Sequence, residues 1–364
     1  MATYSFDLDP VSVRIDLSVG HIAELKIRDG NRTLSPLHRA PWVDDPEMEF
    51  PADTPPNVRR LSGDFFCAPF GRNDVEPGPS HGWSANSAWD HVGTTRQGNR
   101  LTAVFRLQRK VMGATVEKRI SLISGHPFLY QEHSLAGGAG AVSVAHHVMV
   151  HMAGGGDLAV SPKRLAQTLP EPLETDPALG RSLLAPGAEA ADLSRFPLAE
   201  GGVADLGVYP LGEAHEDFAA LVERPDHSLG WSVVSRAVER DRIIVLKRPD
   251  VLPLTMLWMS NGGRHYVPWS SRHTGVLGIE DARASPLGHA DSCRENSLNR
   301  RGIPTAFQLE EGKTITIRQI IGACASGEDG DSLRDVTAET DGLILSSRKG
   351  RVRTLAYDPV FLSI

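Results

Sequence analysis

Three cysteines in 364 residues, Cys67, Cys293 and Cys324, are too few and too scattered for a disulfide framework. Their odd number fits a reducing cytoplasm, and each is expected to be a small buried apolar residue. No CxxC pair suggests a structural zinc. Positive charge is also short. Lys and Arg total 38 against 45 Asp and Glu, a formal net charge of −7. The chain therefore has no basic footprint for nucleic acid or for an anionic membrane. No apolar run approaches the roughly 20 residues of a membrane span. The first residues, MATYSFDLDPVSVRIDL, lack the basic and apolar blocks of a signal peptide. There is no P-loop, no GxGxxG between a strand and a helix, no HExxH and no GxSxG, so a nucleotide enzyme or serine hydrolase has no support.

Helical periodicity is scarce too, whereas strand signals recur almost from end to end. VSVRIDLSV and HIAELKIRDG read as two strands joined at Gly20. In Thr115–Ile123 the residues Val116, Lys118, Ile120 and Leu122 share one face, and Thr115, Glu117, Arg119 and Ser121 the other. From Ala153 to about Pro210 the pattern weakens, with short helical pieces expected near Pro162–Gln167. Strands resume at FAALVE, LGWSVVSR, RIIVLKRP and LTMLWMSN, and the tail GLILSSRKGRVRTLAYDPVFLSI reads as a final hairpin. More than ten short strands with almost no long helix predict an all-β fold, one large antiparallel β-sandwich over residues 1–364. No 20–50-residue repeat is evident, which disfavours a propeller.

Three stretches concentrate chemistry. The first, FFCAPFGRNDVEPGPSHGWSANSAW, sets Arg72, His81, Trp83 and Trp89 among glycines and prolines. Aromatic faces stack on the C–H face of a sugar ring, and a guanidinium bonds its hydroxyls, so this loop is a candidate site. The second, AHHVMVHMAGGG, places His147, Met149 and His151 on one strand face and His146 with apolar residues on the other. The third, WMSNGGRHYVPWSSRHTGVLGIED, carries Arg264, Trp269 and His273, then an apolar strand ending in Glu280 and Asp281. A carboxylate at such a strand end is a candidate for partial burial, which raises its pKa toward a useful range.

In this order the three stretches resemble the aldose 1-epimerases, the galactose mutarotase-like proteins. APFGRND and SHGWSAN match that family's early motif at Arg72 and His81. HHVMVHMAGG is similar to its middle motif and lands on His147. VLGIEDARASP resembles its late motif and lands on Glu280, followed by the similar closing strand FQLEEGKTITIRQIIG. The family's aromatic pair after the middle His is Met149–Val150 here. Its substrate-binding Asp falls near HEDF, where His215 stands at the Asp position with Glu216 and Asp217 beside it.

The resemblance implies a supersandwich with a cleft across one sheet and interconversion of the α and β anomers of an aldose, the small-molecule partner. Glu280 is then the base and His147 the acid, on opposite sides of the ring. His81 polarises the ring oxygen, Arg72 bonds hydroxyls, and Trp83, His151 and Arg264 line the cleft. The chemistry is proton transfer and calls for neither metal nor cofactor. Two rivals remain: a non-catalytic carbohydrate-binding or sugar-sensing protein on the same fold, and a cupin-like metal enzyme using His147, His151 and His273. The cupin pattern, a tight His-x-His followed shortly by Glu, is not in this sequence.

Overall fold

The computed structural model describes residues 2–326, 333–340, 342–347 and 349–363. Its frame is two large antiparallel sheets. One runs in the order Glu189–Ala190, Lys163–Thr168, His215–Glu223, Leu254–Asn261, Val276–Arg283, Val144–His146 and Phe66–Cys67, with Val148–His151 also paired to Val276–Arg283. The other runs Val208–Tyr209, Gly156–Val160, Gly230–Arg236, Asp241–Lys247, Thr314–Ala325, Phe128–Ala136, Thr115–Ile123, Arg100–Leu107 and Trp89–Gln97. Alternation along each strand sends one set of side chains between the sheets. Val148, Val150, Leu257, Leu277 and Ile279 from the first sheet meet Val116, Ile120, Leu129, Ile317 and Ile321 from the second there. The expected all-β sandwich is the observed architecture.

Lys163–Thr168 is a strand, not the helical piece expected from its sequence. KRLAQT contains good helix formers, but its pairing with His215–Glu223 overrides that weak preference. The tail forms the expected hairpin, and the strand before it joins in. Leu333–Glu339, Gly342–Ser347 and Gly350–Leu355 form a three-stranded sheet. Its Val336, Leu343 and Leu345 pack on Phe128, Trp231 and Ile244 of the second large sheet. All three cysteines are free. No helix among the described residues is long and apolar enough to cross a membrane.

The space between the sheets also holds a polar seam. Gln131 Nε2 donates to Asp64 Oδ2 at 2.7 Å and to Gln319 Oε1 at 2.9 Å. Gln319 Nε2 donates to Asp281 Oδ2 at 2.8 Å. Lys247 Nζ then lies 3.1 Å from both Asp281 Oδ1 and Glu223 Oε1, and Lys163 Nζ reaches Glu223 Oε1 at 2.6 Å. Members come from both sheets, and each is matched by an opposite charge or an amide, as burial demands.

A third apolar cluster covers the outer face of the first sheet. Phe65, Phe70, Met149, Met256, Trp258 and Trp269 belong to it, with Phe218 and Leu173 packed alongside. A cavity opens within this cluster.

Candidate active site

The floor of the cavity comes from strand register. Ala145 pairs with Ala282 and Val148 with Ile279, so His147 lies directly opposite Glu280 on the neighbouring strand. Opposed side chains on one sheet face are close neighbours. His147 Nε2 is 3.1 Å from Glu280 Oε1. The ladder breaks at His147 because its N–H turns to Phe65 O at 2.9 Å and to Asp64 Oδ1 at 3.1 Å. The same alternation sends Asp281 to the opposite face, where it joins the seam.

Aromatic rings enclose this pair. Phe65 stacks on the His147 imidazole with centroids 4.4 Å apart, and Trp258 meets it edge-on at 5.6 Å. Gly278, two residues before Glu280 on the same face, leaves room for that indole. A methyl there would sit 3.0 Å from Trp258 Cβ and 3.4 Å from Glu280 Oε1. His81 reaches the floor from the Gly/Pro loop, its ring edge-on to His147 at 5.5 Å. The loop turns sharply behind it at Gly82, whose φ of 69° favours glycine and where a Cβ would fall 2.0 Å from Ala68 O. The enclosed volume is about 310 Å³. That is at the small end of ligand cavities, which run from about 300 to 1,000 Å³. It has room for one sugar ring rather than a chain.

Burial decides the protonation of the pair. Glu280 is 2% exposed, and loss of water pushes its carboxyl up to about 8. Burial, assisted by the neighbouring His81, holds His147 well below the ordinary imidazole value. His81 is itself pushed down to about 4 by burial. At neutral pH the pair therefore holds one proton, on Glu280, beside a neutral His147. A separated ion pair would be costly in this desolvated setting. The two groups also touch, so the arrangement on opposite sides of a ring expected from the sequence is not the one found.

No family model matches the chain, and no curated protein matches it in sequence. Solved structures do match. A candidate aldose 1-epimerase from Escherichia coli K12 superposes with a TM-score of 0.58 at 11% identity, covering 89% of this chain and 99% of that one. A candidate mutarotase from Salmonella typhimurium gives 0.57 at 16% identity, covering 89% and 90%. A galactose mutarotase related enzyme from Lactobacillus acidophilus gives 0.53 at 12% identity, covering 90% and 99%. The fold is galactose mutarotase-like.

Of the residues singled out from the sequence, His147, Glu280, His81 and Arg264 line the cavity just described. Three others do not. Trp83 packs against the inter-sheet core, and Arg109 Cζ sits 4.2 Å over its ring. His151 shares the strand face of His147, but four residues along a strand span about 13 Å. It stacks instead near His38, with centroids 5.9 Å apart. Arg72 follows the lining residue Gly71 but is not itself in the wall, and its carbonyl accepts the His289 N–H at 3.0 Å. His146 faces inward, packed against Phe66 and His133. His273 donates its Nδ1–H to Ser260 Oγ at 2.7 Å. Among the described residues no group of three or more His, Cys, Asp or Glu is placed to hold a metal ion.

HEDF resolves by the same alternation. His215 and Asp217 point away from the cavity. Asp217 Oδ1 accepts the N–H groups of Leu183 and Leu184 at 2.9 and 2.8 Å, and its Oδ2 lies 2.7 Å from His215 Nδ1. Glu216 is on the cavity side, beneath the wall. It accepts the Trp258 indole N–H and the Ser260 hydroxyl at 2.8 Å, and it forms an ion pair with Arg264, whose guanidinium lies 3.4 Å away. Burial raises the Glu216 carboxyl, while Arg264 and the two other donors pull the other way. Arg264 also stacks its guanidinium 4.7 Å over Trp269. Trp269, singled out with the third stretch but given no place in the cleft, also lines it, and sequence reasoning missed Trp258, Phe65, Phe218 and Asn57 as lining residues. Aromatic content was the only signal, and it does not tell which way a ring points.

Proposed function

We propose that the protein is an aldose 1-epimerase that opens and recloses a sugar hemiacetal with the His147–Glu280 pair. The observation that carries this is the 3.1 Å approach of His147 and Glu280 on the floor of a sugar-sized, aromatic-walled cavity. Asn57, His147 and Arg264 supply the lining with polar side chains. Buried polar atoms require partners, and a ring of hydroxyls supplies them. Aromatic faces such as Trp258 suit its C–H faces.

The chemistry follows from contact between the two groups. The anomeric hydroxyl and the ring oxygen share one carbon, so adjacent side chains address both at once. Glu280 gives its proton to the ring oxygen while His147 takes the proton of the anomeric hydroxyl, and the C1–ring-oxygen bond breaks to leave the aldehyde. Rotation about C1–C2 exposes the other carbonyl face. On closure the imidazolium of His147 protonates the carbonyl oxygen and the carboxylate of Glu280 takes the proton of the attacking hydroxyl. The pair ends as it began, so a full cycle draws no proton from solvent. The order of roles is the reverse of that expected from the sequence, and each group serves as acid once and base once.

The test is anomer exchange measured by proton NMR over a panel of aldoses, with thermal melts as a check on folding. Glu280→Gln and His147→Asn should each slow exchange by about 10²–10⁴-fold. The double variant should be far less than multiplicatively worse, since the two act as a unit. Near-wild-type exchange in Glu280→Gln would remove this mechanism. Sugars that bind to wild type without being exchanged would leave a carbohydrate-binding protein.

A further inference from the structure

The cavity has a second pole whose charges the proposed proton transfer does not use. Arg264 is the sole Arg or Lys among its described lining residues. Behind it lies Glu216, 1% exposed, its carboxylate held by the Trp258 N–H and the Ser260 hydroxyl and paired with Arg264 at 3.4 Å. The Trp258 indole joins the two poles. Its ring is 5.6 Å from that of His147, and its N–H donates to Glu216. A ring whose anomeric end rests on His147 and Glu280 therefore presents its far end toward Arg264.

An uncompensated guanidinium in a dry cavity is a receptor for phosphate or carboxylate, because its fork fits both in bidentate fashion. Here the guanidinium charge is matched by Glu216. An incoming anion gains from Arg264 and meets the like charge of Glu216 next to it, after losing its own water. A neutral hydroxyl loses little water and meets no such repulsion when it bonds the Arg264 guanidinium that lines the cavity.

We infer that Glu216 sets the charge selectivity of the cavity: by balancing Arg264 it makes the guanidinium a hydroxyl donor rather than an anion receptor, so the site takes uncharged aldoses and turns away their phosphorylated and uronic counterparts. This rests on the carbohydrate reading above. Glu216 does not touch the sugar in this account. It acts through Arg264, which departs from the sugar-contacting acid that the resemblance implies near HEDF.

The experiment is calorimetric binding of matched pairs, D-galactose with D-galacturonate and D-glucose with D-glucose 6-phosphate. Wild type should favour the neutral member by about tenfold or more. Glu216→Gln is nearly isosteric. Its carbonyl can keep the Trp258 N–H, and its amide can donate to Ser260 Oγ, whose hydroxyl is then free to donate to the other tautomer of His273, 2.7 Å away at Nδ1. This variant should narrow the preference by about tenfold. Adding Arg264→Gln should restore the preference, since the unbalanced charge is then gone. Equal or tighter binding of the anionic members by wild type overturns the inference and leaves the carbohydrate reading standing, and this comparison needs no variant. An unchanged ratio in a Glu216→Gln protein that melts like wild type also overturns it. Failure of every sugar to bind overturns both.

Discussion

Replacing Glu280 by Gln should make the protein more stable than wild type at alkaline pH and about equally stable in acid. Glu280 is 2% exposed and its carboxyl is raised by burial from 4.5 to about 8. A raised value means that the folded state keeps a proton that the unfolded chain has released. Below about pH 4.5 both states are protonated and the residue adds no pH dependence. Between about 4.5 and 8 the folded protein must retain that proton, so stability falls as pH rises, and above about 8 the loss is complete. That span is roughly 3.5 pH units, and each is worth about 1.36 kcal/mol, which sets a ceiling of about 5 kcal/mol. The contact with His147 gives the ionised form some relief, so a loss of about 2–4 kcal/mol is expected. Gln does not titrate. Urea unfolding of both proteins at steps from pH 5 to 8.5 isolates the effect, because other buried groups titrate alike in both and cancel. The difference, Gln minus wild type, should climb by that amount. A flat difference, or one that falls with pH, would show that Glu280 is ionised in the fold against an imidazolium, and the one-proton pair would be wrong.

The same protonation gives the rate its pH profile. Exchange should be level down to well below pH 6.5, where His147 takes a second proton, and should fall above about pH 8 as Glu280 loses its proton. A background-corrected rate that rises through pH 8 would contradict this. Trp83→Ala should lower stability by about 2 kcal/mol through lost packing and the Arg109 contact, while calorimetric affinity for the best sugar stays unchanged. Selective loss of binding would put Trp83 back in the site. Gly278→Ala forces a methyl to 3.0 Å from Trp258 Cβ and should displace both the indole and Glu280. Turnover should drop by about tenfold or more for a stability cost of about 1–3 kcal/mol, and unchanged turnover would show that the floor tolerates more play than this geometry allows.

How much of this was legible in the sequence varied with the kind of question. Strand alternation is local, so Thr115–Ile123 showed Lys118 on the same face as Val116 and Ile120, and it is indeed buried there, donating to Gly20 O. The same local rule set His147 apart from His146. Alternation also separates Glu280 from Asp281, but it cannot say which face is the cavity. Contact between His147 and Glu280 depends on the register of strands more than 100 residues apart, which one sequence does not encode in any local pattern. Trp83 and Arg72 were plausible by composition of their loop, yet the turn at Gly82 delivers only His81 to the floor. For HEDF three acids or histidines stood in a row, and only the pairing with Leu254–Asn261 shows that Glu216 is the one beneath the wall.

The seam between the sheets constrains how such a protein can change over generations. Lys247 faces both Glu223 and Asp281, so exchanging it alone for an apolar residue leaves the buried Asp281 without a cation and Glu223 with Lys163 as its one lysine, at about 3–5 kcal/mol. That is a large share of the 5–15 kcal/mol by which a domain is stable. A fully apolar interior of equal stability is reachable only by altering several positions at once, so single substitutions there are dead ends. Walls such as Phe218, Leu173 and Trp269 carry no such interlock. Drift, or a designer, can therefore remodel what the cavity admits while the frame that aligns its two reacting side chains stays as it is.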